Sequence, residues 1–396
     1  RRAPITNYKF SSLIEETSGM WEKIKDSIKS VLFGILLFFA SLGVIFFNEC
    51  NAVKDTARTE EAGEISVSVS SDNVDSSNNG QLVHMNGEAQ TTETLTDSTF
   101  GISQNAIKLS RDVQMYQWRE SEKTKEVNGK KETTYEYEQV WSSSPISSNN
   151  FKKQGHYNPP MQYQGQTWQA RNVTLGAFRL GPLVDKMSDY EDYSVSQSDL
   201  AKLPPNLSNQ ATLNDGEIFI STNGNSTPSS PKVGDYRVSF RVITPGPYSL
   251  IAQQNGNSFK PFMHENEKET FKIYAGTLSK EEVIGKMESE DAMLRWGLRI
   301  GSIVFMAIAL IMMFNPLKEV ADMVPLVGNF LEAGIVLFAI GIALFISFIS
   351  IAIAWLVARP LLGILLIVVA IAAIVGLIFI ARSRKSNKPA DAGAAG

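Results

Sequence analysis

The chain has 396 residues, 43% hydrophobic and 20% charged, with a mean hydropathy of -0.07. Those averages are ordinary for a soluble protein, but the apolar residues sit in a few dense blocks. A net charge of -4 argues against a strongly basic nucleic-acid binder. The single cysteine, Cys50, excludes an intramolecular disulfide framework and a cysteine-rich metal site.

Residues 1–30 are polar and of both signs, and are read as a cytosolic N-terminal segment. Residues 31–47 (VLFGILLFFASLGVIFF) carry no charge and predict transmembrane helix 1. No A-x-A-like site follows and the run exceeds a usual signal-peptide core, so an uncleaved anchor is expected. Cys50, just beyond it, is expected to be a free interfacial thiol.

Region 48–295 is predicted to be a β-rich lumenal or extracytoplasmic domain, in one lobe or two. Residues 64–71 (EISVSVSS) alternate, 81–88 and 106–118 are strand-like, and 132–141 (ETTYEYEQVW) alternate polar with aromatic. Residues 236–243 and 248–254, joined by Thr244-Pro245-Gly246-Pro247, are read as a hairpin. Residues 142–166 and 189–231 are rich in Ser, Asn, Pro and Gly and are read as loops or an inter-lobe linker. From about 279 a helix is expected, because Ser279 and Glu282 form a capping box. Ile284, Met287, Leu294 and Leu298 are expected near one face of it, and the helix is expected to enter the next span.

Residues 296–314 predict transmembrane helix 2, its apolar part, 301–314, reaching spanning length only if Arg299 snorkels. Residues 315–332 are a cytosolic connection, either a polar loop or a short interfacial helix. Residues 333–357 and 361–380 predict helices 3 and 4, separated only by Ala358-Arg359-Pro360, and 381–396 are a basic cytosolic tail. Helix 3 repeats small residues at Ala339, Ala343 and Ser347, and again at Ser350, Ala354 and Ala358. That spacing lets helices approach closely, although small residues are common in membrane helices in any case. No ionisable residue lies mid-span, which argues against a proton relay. Few polar residues, chiefly Ser41, Ser302, Ser347 and Ser350, are available to line a pore.

Basic residues flank the first and last spans: Arg1, Arg2, Lys9, Lys23, Lys25 and Lys29 before, Arg382, Arg384, Lys385 and Lys388 after. Both termini are therefore expected in the cytosol and region 48–299 across the membrane. That region holds 25 Lys/Arg against 33 Asp/Glu, a net of -8, and the rest of the chain is +4. Arg295 and Arg299 run against the rule. Trp296 and Trp355 fall at the outer ends of their spans, as an aromatic belt places them.

Catalytic motifs are sparse. His84, His156 and His264 complete no zinc motif, and there is no nucleophile elbow, phosphate loop or dinucleotide fingerprint. No cofactor or metal is expected. Asn172-Val-Thr, Asn206-Leu-Ser and Asn225-Ser-Thr match the glycosylation triplet, which chance explains in so Asn- and Ser-rich a chain. Tyr116, Trp118, Tyr135, Tyr137 and Trp141 form an aromatic strand pair. Sheet packing explains it more simply than a carbohydrate or peptide platform.

Several blocks resemble one known family. They are Phe46-Phe47-Asn48-Glu49 with Ala52-Val53-Lys54, Gly80-Gln-Leu-Val-His84, Met115-Tyr116-Gln117-Trp118 and Tyr135-Glu-Tyr137. They continue with Gly155-His156-Tyr-Asn158-Pro159, Val233-Gly234-Asp235-Tyr-Arg237-Val238-Ser239-Phe240, Ala354-Trp355-Leu356 and Arg359-Pro360-Leu361. In this order the chain resembles the LUMA, or transmembrane protein 43, family, which also has bacterial-type members. Cys50-Asn51 departs from the Gly-Arg that the family commonly carries there.

The resemblance implies an integral membrane α+β protein: four transmembrane helices with the large β-rich domain between helices 1 and 2. It implies a non-enzymatic scaffold that self-associates in the bilayer and organises membrane or envelope proteins. In animal relatives these are emerin- and lamin-like partners in the endoplasmic reticulum and inner nuclear membrane. A bacterial member would occupy the inner membrane. Rival readings are a receptor-like sensor, an extracytoplasmic enzyme and a channel.

Overall fold

The computed structural model describes residues 6–127, 130–321 and 328–358, with 364 and 368. The chain divides into two compact units, Arg1–Thr59 with Met287–Gly396, and Glu60–Lys286. The helices are α1 (Thr6–Ile65), α2 (Gln197–Leu200), α3 (Pro205–Ser208), α4 (Lys280–Ala321) and α5 (Gly328–Ala358). Three stretches are long and apolar enough to cross a membrane: Ile28–Ile65 of α1, Lys280–Phe314 of α4 and Gly334–Ile353 of α5. The fourth predicted span, 361–380, and most of the 358–360 turn lie outside the described residues. Helix α1 continues past residue 47 because 52–64 (AVKDTARTEEAGE) are mostly strong helix formers, without proline.

The helical unit wears its apolar side chains outward. Leu32, Phe33 and Leu36 on α1, Val304 and Phe305 on α4, and Leu337, Phe338 and Phe345 on α5 are exposed. That pattern fits a lipid solvent, since soluble monomers rarely show so large an apolar surface. Ile45, Met306, Ala307, Leu310, Ala339 and Ala343 pack inside. At Gly34 an added Cβ would stand 2.8 Å from the Ala309 carbonyl oxygen, so glycine is what lets α1 and α4 approach there. The buried stripe of α4 runs through Met287, Arg299, Ser302 and Met306. Leu294 and Leu298 lie on the same face of the helix as Met287, as expected, but are exposed where Met287 is buried.

The strands of the β-rich unit, in chain order, begin with β1 (Val67–Ser70), β2 (Leu82–Gln90), β3 (Thr94–Asp97) and β4 (Ile102–Asn105). Next come β5 (Lys108–Val127), β6 (Lys130–Ser142), β7 (Gln166–Gln169), β8 (Thr174–Leu175) and β9 (Phe178–Arg179). Then come β10 (Glu191–Tyr193), β11 (Ala211–Asn214), β12 (Glu217–Ile220) and β13 (Tyr236–Ile243). Last are β14 (Gly246–Asn255), β15 (Ser258–Lys260), β16 (Phe262–Met263), β17 (Glu269–Thr270) and β18 (Lys272–Ala275). One sheet runs β15-β14-β2-β8-β9, with β1 parallel to β2 and β18 against β14. The other runs β11-β12-β13-β5-β6, with β10 on β13 and β7 on β5. Val83, Met85 and Leu250 of the first sheet share one continuous core with Leu109, Val113, Val238 and Phe240 of the second. The unit is therefore one lobe.

Two sequence expectations are corrected. β13 and β14 are not a hairpin: they lie in different sheets, and the chain crosses between them at Thr244 and Pro245. Strand β14 buries Leu250, Ile251 and Ala252 consecutively, so both its faces are covered, and within the sheet its edges pair with β2 and β18. Region 189–231 is not a linker. It contains α2, α3 and β10 to β12, and its Ser and Asp residues serve as caps: Ser196 and Asp199 bond reciprocally at the start of α2.

Candidate functional site

Three elements of the helical unit meet on one carboxylate. Arg299 Nε donates to Glu49 Oε1 at 2.5 Å and Arg299 Nη2 to Oε2 at 2.6 Å. Trp355 Nε1 donates to Oε2 at 3.1 Å, and Asn48 Nδ2 to Oε1 at 3.3 Å. Asn48 also donates to the Arg295 carbonyl at 3.3 Å, and the Arg299 guanidinium lies 4.8 Å from the Trp296 ring centroid. Glu49 is fully buried and Arg299 is 9% exposed, so the expected snorkelling is corrected. The reason is position: Glu49 lies two residues past the apolar run of α1, and Arg299 two before that of α4. The helices run antiparallel, so the opposite charges reach one level at the edge of the apolar layer. A planar fork on a carboxylate is the strong form of such a pair. About nine residues further along α1, Arg58 meets Asp291 of α4 at 2.5 Å. The two oxygens of Glu49 are thus taken by four donors, contributed by α1, α4 and α5.

The small residues of α5 face inward: Ala339 and Ala343 are fully buried, and Ser347 and Ser350 nearly so. Both serine hydroxyls donate back to their own helix, to the carbonyls of Ala343 and Ile346. The side chains of Ala354 and Ala358, and Arg359 and Pro360, lie outside the described residues.

A second cluster sits on β5, β6 and β13. The chain between β6 and β7 lies over the aromatic face of these strands. Asn158 Oδ1 accepts from the Trp118 amide at 2.7 Å while Nδ2 donates to the Trp118 carbonyl at 2.8 Å. That side-chain amide continues the strand ladder just where β13 ends, and so covers an exposed edge. His156 is stacked on Tyr137, with centroids 3.9 Å apart, and meets Trp118 edge-on at 4.5 Å. The Tyr137 hydroxyl donates to Glu120, whose carboxyl that bond helps hold below the usual range. The aromatic strand pair packs as a sheet face: the loop's His156 and Phe151 lie on Trp118 and Tyr137, and Tyr116 and Trp141 pack on each other.

Gly234 takes a φ of +99°, which glycine tolerates, and its amide donates to the Tyr116 carbonyl at 2.9 Å. Pro159 lies against it. The buried Asp235 carboxylate accepts from the Thr222 amide at 3.1 Å and the Lys232 amide at 2.6 Å, closing the loop between β12 and β13. Arg237 Nε donates to Gln114 at 2.6 Å, with its guanidinium 5.0 Å from the Trp141 ring. So Asn48, Glu49 and Trp355 come together in one unit, and Tyr116, Trp118, His156, Pro159, Gly234, Asp235 and Arg237 neighbour one another in the other.

The histidines share no contact. His84 sits between Ser68 Oγ at 3.1 Å and the Leu278 carbonyl at 3.1 Å, and burial pushes its pKa down. His264 is buried, bonded to Thr270 Oγ1 at 2.8 Å, with Glu61 Oε2 off line 2.9 Å from Nδ1. Among the described residues no three His, Cys, Asp or Glu side chains are grouped to hold a metal ion. Cys50 is free and exposed. The sequence reading passed over the buried pair Arg111–Asp97, in which Nη1 reaches both carboxylate oxygens at 2.8 and 2.9 Å. The available signal was a lone arginine in the apolar pattern of β5.

The family model described as Transmembrane protein 43 matches residues 115–360. Transmembrane protein 43 of Rattus norvegicus is 32% identical, over 93% of this chain and 94% of its own. The Homo sapiens protein of that name is 31% identical, over 88% and 89%. The homolog in Drosophila melanogaster is 27% identical, over 87% and 93%. No solved structure matches the chain. A family model that covers most of the chain, and relatives aligned along nearly all of it, place this integral membrane protein in the transmembrane protein 43 family.

Proposed function

We propose that the chain is a non-enzymatic membrane scaffold: a four-span protein that self-associates and organises membrane or envelope proteins. Its β-rich unit is read as lumenal, from the basic flanks of the first and last spans. In a eukaryotic host this means the endoplasmic reticulum and inner nuclear membrane, the compartment that the family resemblance implies. The observation that carries the reading is the use of Glu49. The most elaborate polar centre of the helical unit, shared by Arg299, Trp355 and Asn48, fastens helices. Family membership supports it further. Cross-linking in native membranes, followed by purification in mild detergent, tests it. Oligomeric bands and co-purifying envelope proteins are expected; monomers alone, with no partner, count against it.

A second reading, a receptor-like sensor, draws on the continuity of α4. The Ser279 amide donates to Glu282 at 2.7 Å and the Glu282 amide to Ser279 at 3.2 Å. The helix they start runs without a break to Ala321. A sensor changes hydrogen exchange along α4 when ligand binds; unchanged exchange across a broad ligand panel removes its support.

A further inference from the structure

We propose that Asn225 is an N-glycan acceptor. The inference rests on the lumenal placement of the β-rich unit given above. Three Asn-x-Ser/Thr triplets lie in that unit, and the fold treats them differently. An acceptor triplet is used from a surface loop, with the asparagine side chain exposed and unbonded.

Asn172 is exposed, but its backbone amide donates to Glu93 Oε1 at 2.6 Å and its side chain bonds the same carboxylate. Its third residue, Thr174, is fixed in β8 opposite Gln90. Asn206 lies inside α3, where Leu207 is buried and Ser208 Oγ donates to the Pro205 carbonyl. Both triplets are locked by the folded chain.

Asn225 differs. It stands exposed in the connection between β12 and β13, after Gly224 at a φ of +67°. Among the described residues no hydrogen bond to its side chain is found, and Thr227 is exposed beside it in a short turn, its hydroxyl 3.1 Å from Ser229 Oγ and its backbone bridged to Ser230, while the Ser226 amide donates to Ser221 Oγ at 3.2 Å. The Asp235 clamp holds the base of this connection through Thr222 and Lys232, so the tip carries an added group without loss of sheet contacts.

The donor is a lipid-pyrophosphate-linked oligosaccharide. Asn225 Nδ2 attacks its C1, the C1–O bond breaks, and the electron pair leaves with the lipid pyrophosphate. Nδ2 loses a proton and a C1–N bond remains.

The test is synthesis of the full chain in the presence of microsomes, read as a gel shift removable by endoglycosidase H. One glycan is expected on the wild-type chain. It should persist in Asn172→Gln and Asn206→Gln, and vanish in Asn225→Gln and Thr227→Ala. The reporter variant Asn257→Thr completes a triplet at Asn255, the exposed last residue of β14 where it turns into β15. If the reporter is glycosylated and Asn225 is not, the proposal fails while the lumenal placement stands. If neither is modified, both fail. A single glycan at Asn172 or Asn206 also overturns the proposal.

Discussion

The helical unit and the β-rich unit bury opposite things, yet each fastens itself with an arginine on a hidden carboxylate, by a two-nitrogen fork at Glu49 and through Nη1 alone at Asp97. In the β-rich unit Arg111 holds Asp97 and also donates to the Gln164 carbonyl at 2.8 and 3.0 Å. Its guanidinium lies 5.1 Å from the Phe100 ring centroid and 5.4 Å from that of Trp168. That arginine sits within a core whose apolar burial already drives folding. In the helical unit, lipid is as apolar as leucine, so burying side chains against a neighbouring helix gains little. Register there has to come from close backbone contact, as at Gly34, and from polar ties such as Glu49–Arg299. The same ion pair is an addition in one unit and a principal fastening in the other.

That contrast is breakable. Removing one partner of a buried pair leaves the other uncompensated, at about 3–5 kcal/mol. Arg111→Met should lie toward the upper end, because Asp97 and the Gln164 carbonyl are both stranded. The check is denaturant unfolding of the full chain in detergent, with hydrogen exchange expected to rise in β3 and β5. Loss of less than about 1 kcal/mol would remove Arg111 from the account.

Arg299→Leu should lie toward the lower end of the same range, since Trp355 and Asn48 still donate to Glu49. Here the double variant Glu49→Gln, Arg299→Leu is the sharper measurement. Recovery of most of the lost stability shows that the penalty came from a stranded charge. Recovery of none means that the arginine stem and its contact with Trp296 matter more than the carboxylate.

Gly34→Ala should cost about 1–3 kcal/mol, the range for overpacking, because the new Cβ meets the Ala309 oxygen at 2.8 Å and Met313 Cγ at 3.0 Å. Cysteine cross-linking between α1 and α4 should weaken near this crossing. Undiminished cross-linking there would mean the helices adjust without separating.

Much of this was legible in the sequence, and for unequal reasons. Apolar run length marked 31–47 and 333–357 as helices because bilayer thickness sets a minimum that few other structures require. Alternation marked β13, where Tyr236, Val238, Phe240 and Val242 are buried every second residue. The partner of β13 was not legible, since turn residues such as Pro245 show where a chain bends and not which sheet receives it. The Glu49 centre was missed for a related reason. Glu49 and Arg299 lie 250 positions apart, and each taken singly is an interfacial charge. Comparing their distances from the ends of their apolar runs would have paired them.

The smallest expected effect is a pH dependence confined to the β-rich unit. The neutral imidazole of His84 is fully used, its Nε2–H donating to the Leu278 carbonyl and Nδ1 accepting from Ser68, a tautomer assigned from those partners. Burial lowers its pKa; the Leu278 carbonyl and Glu281 oppose that shift, and Lys280 adds to it. The folded chain therefore takes up this proton less readily than the unfolded chain does. The contribution of the neutral form is present above the unfolded value of about 6.5 and is lost as pH falls through the folded value. Denaturation midpoints measured at about pH 7.5 and about pH 5 should fall with acid, and His84→Gln should flatten that difference. The groups that set the His84 shift, Leu278, Glu281 and Lys280, and its partner Ser68 all belong to the β-rich unit, so the exchange rates around Glu49 are expected not to follow as His84 titrates. If they do, the two units do not respond to acid separately.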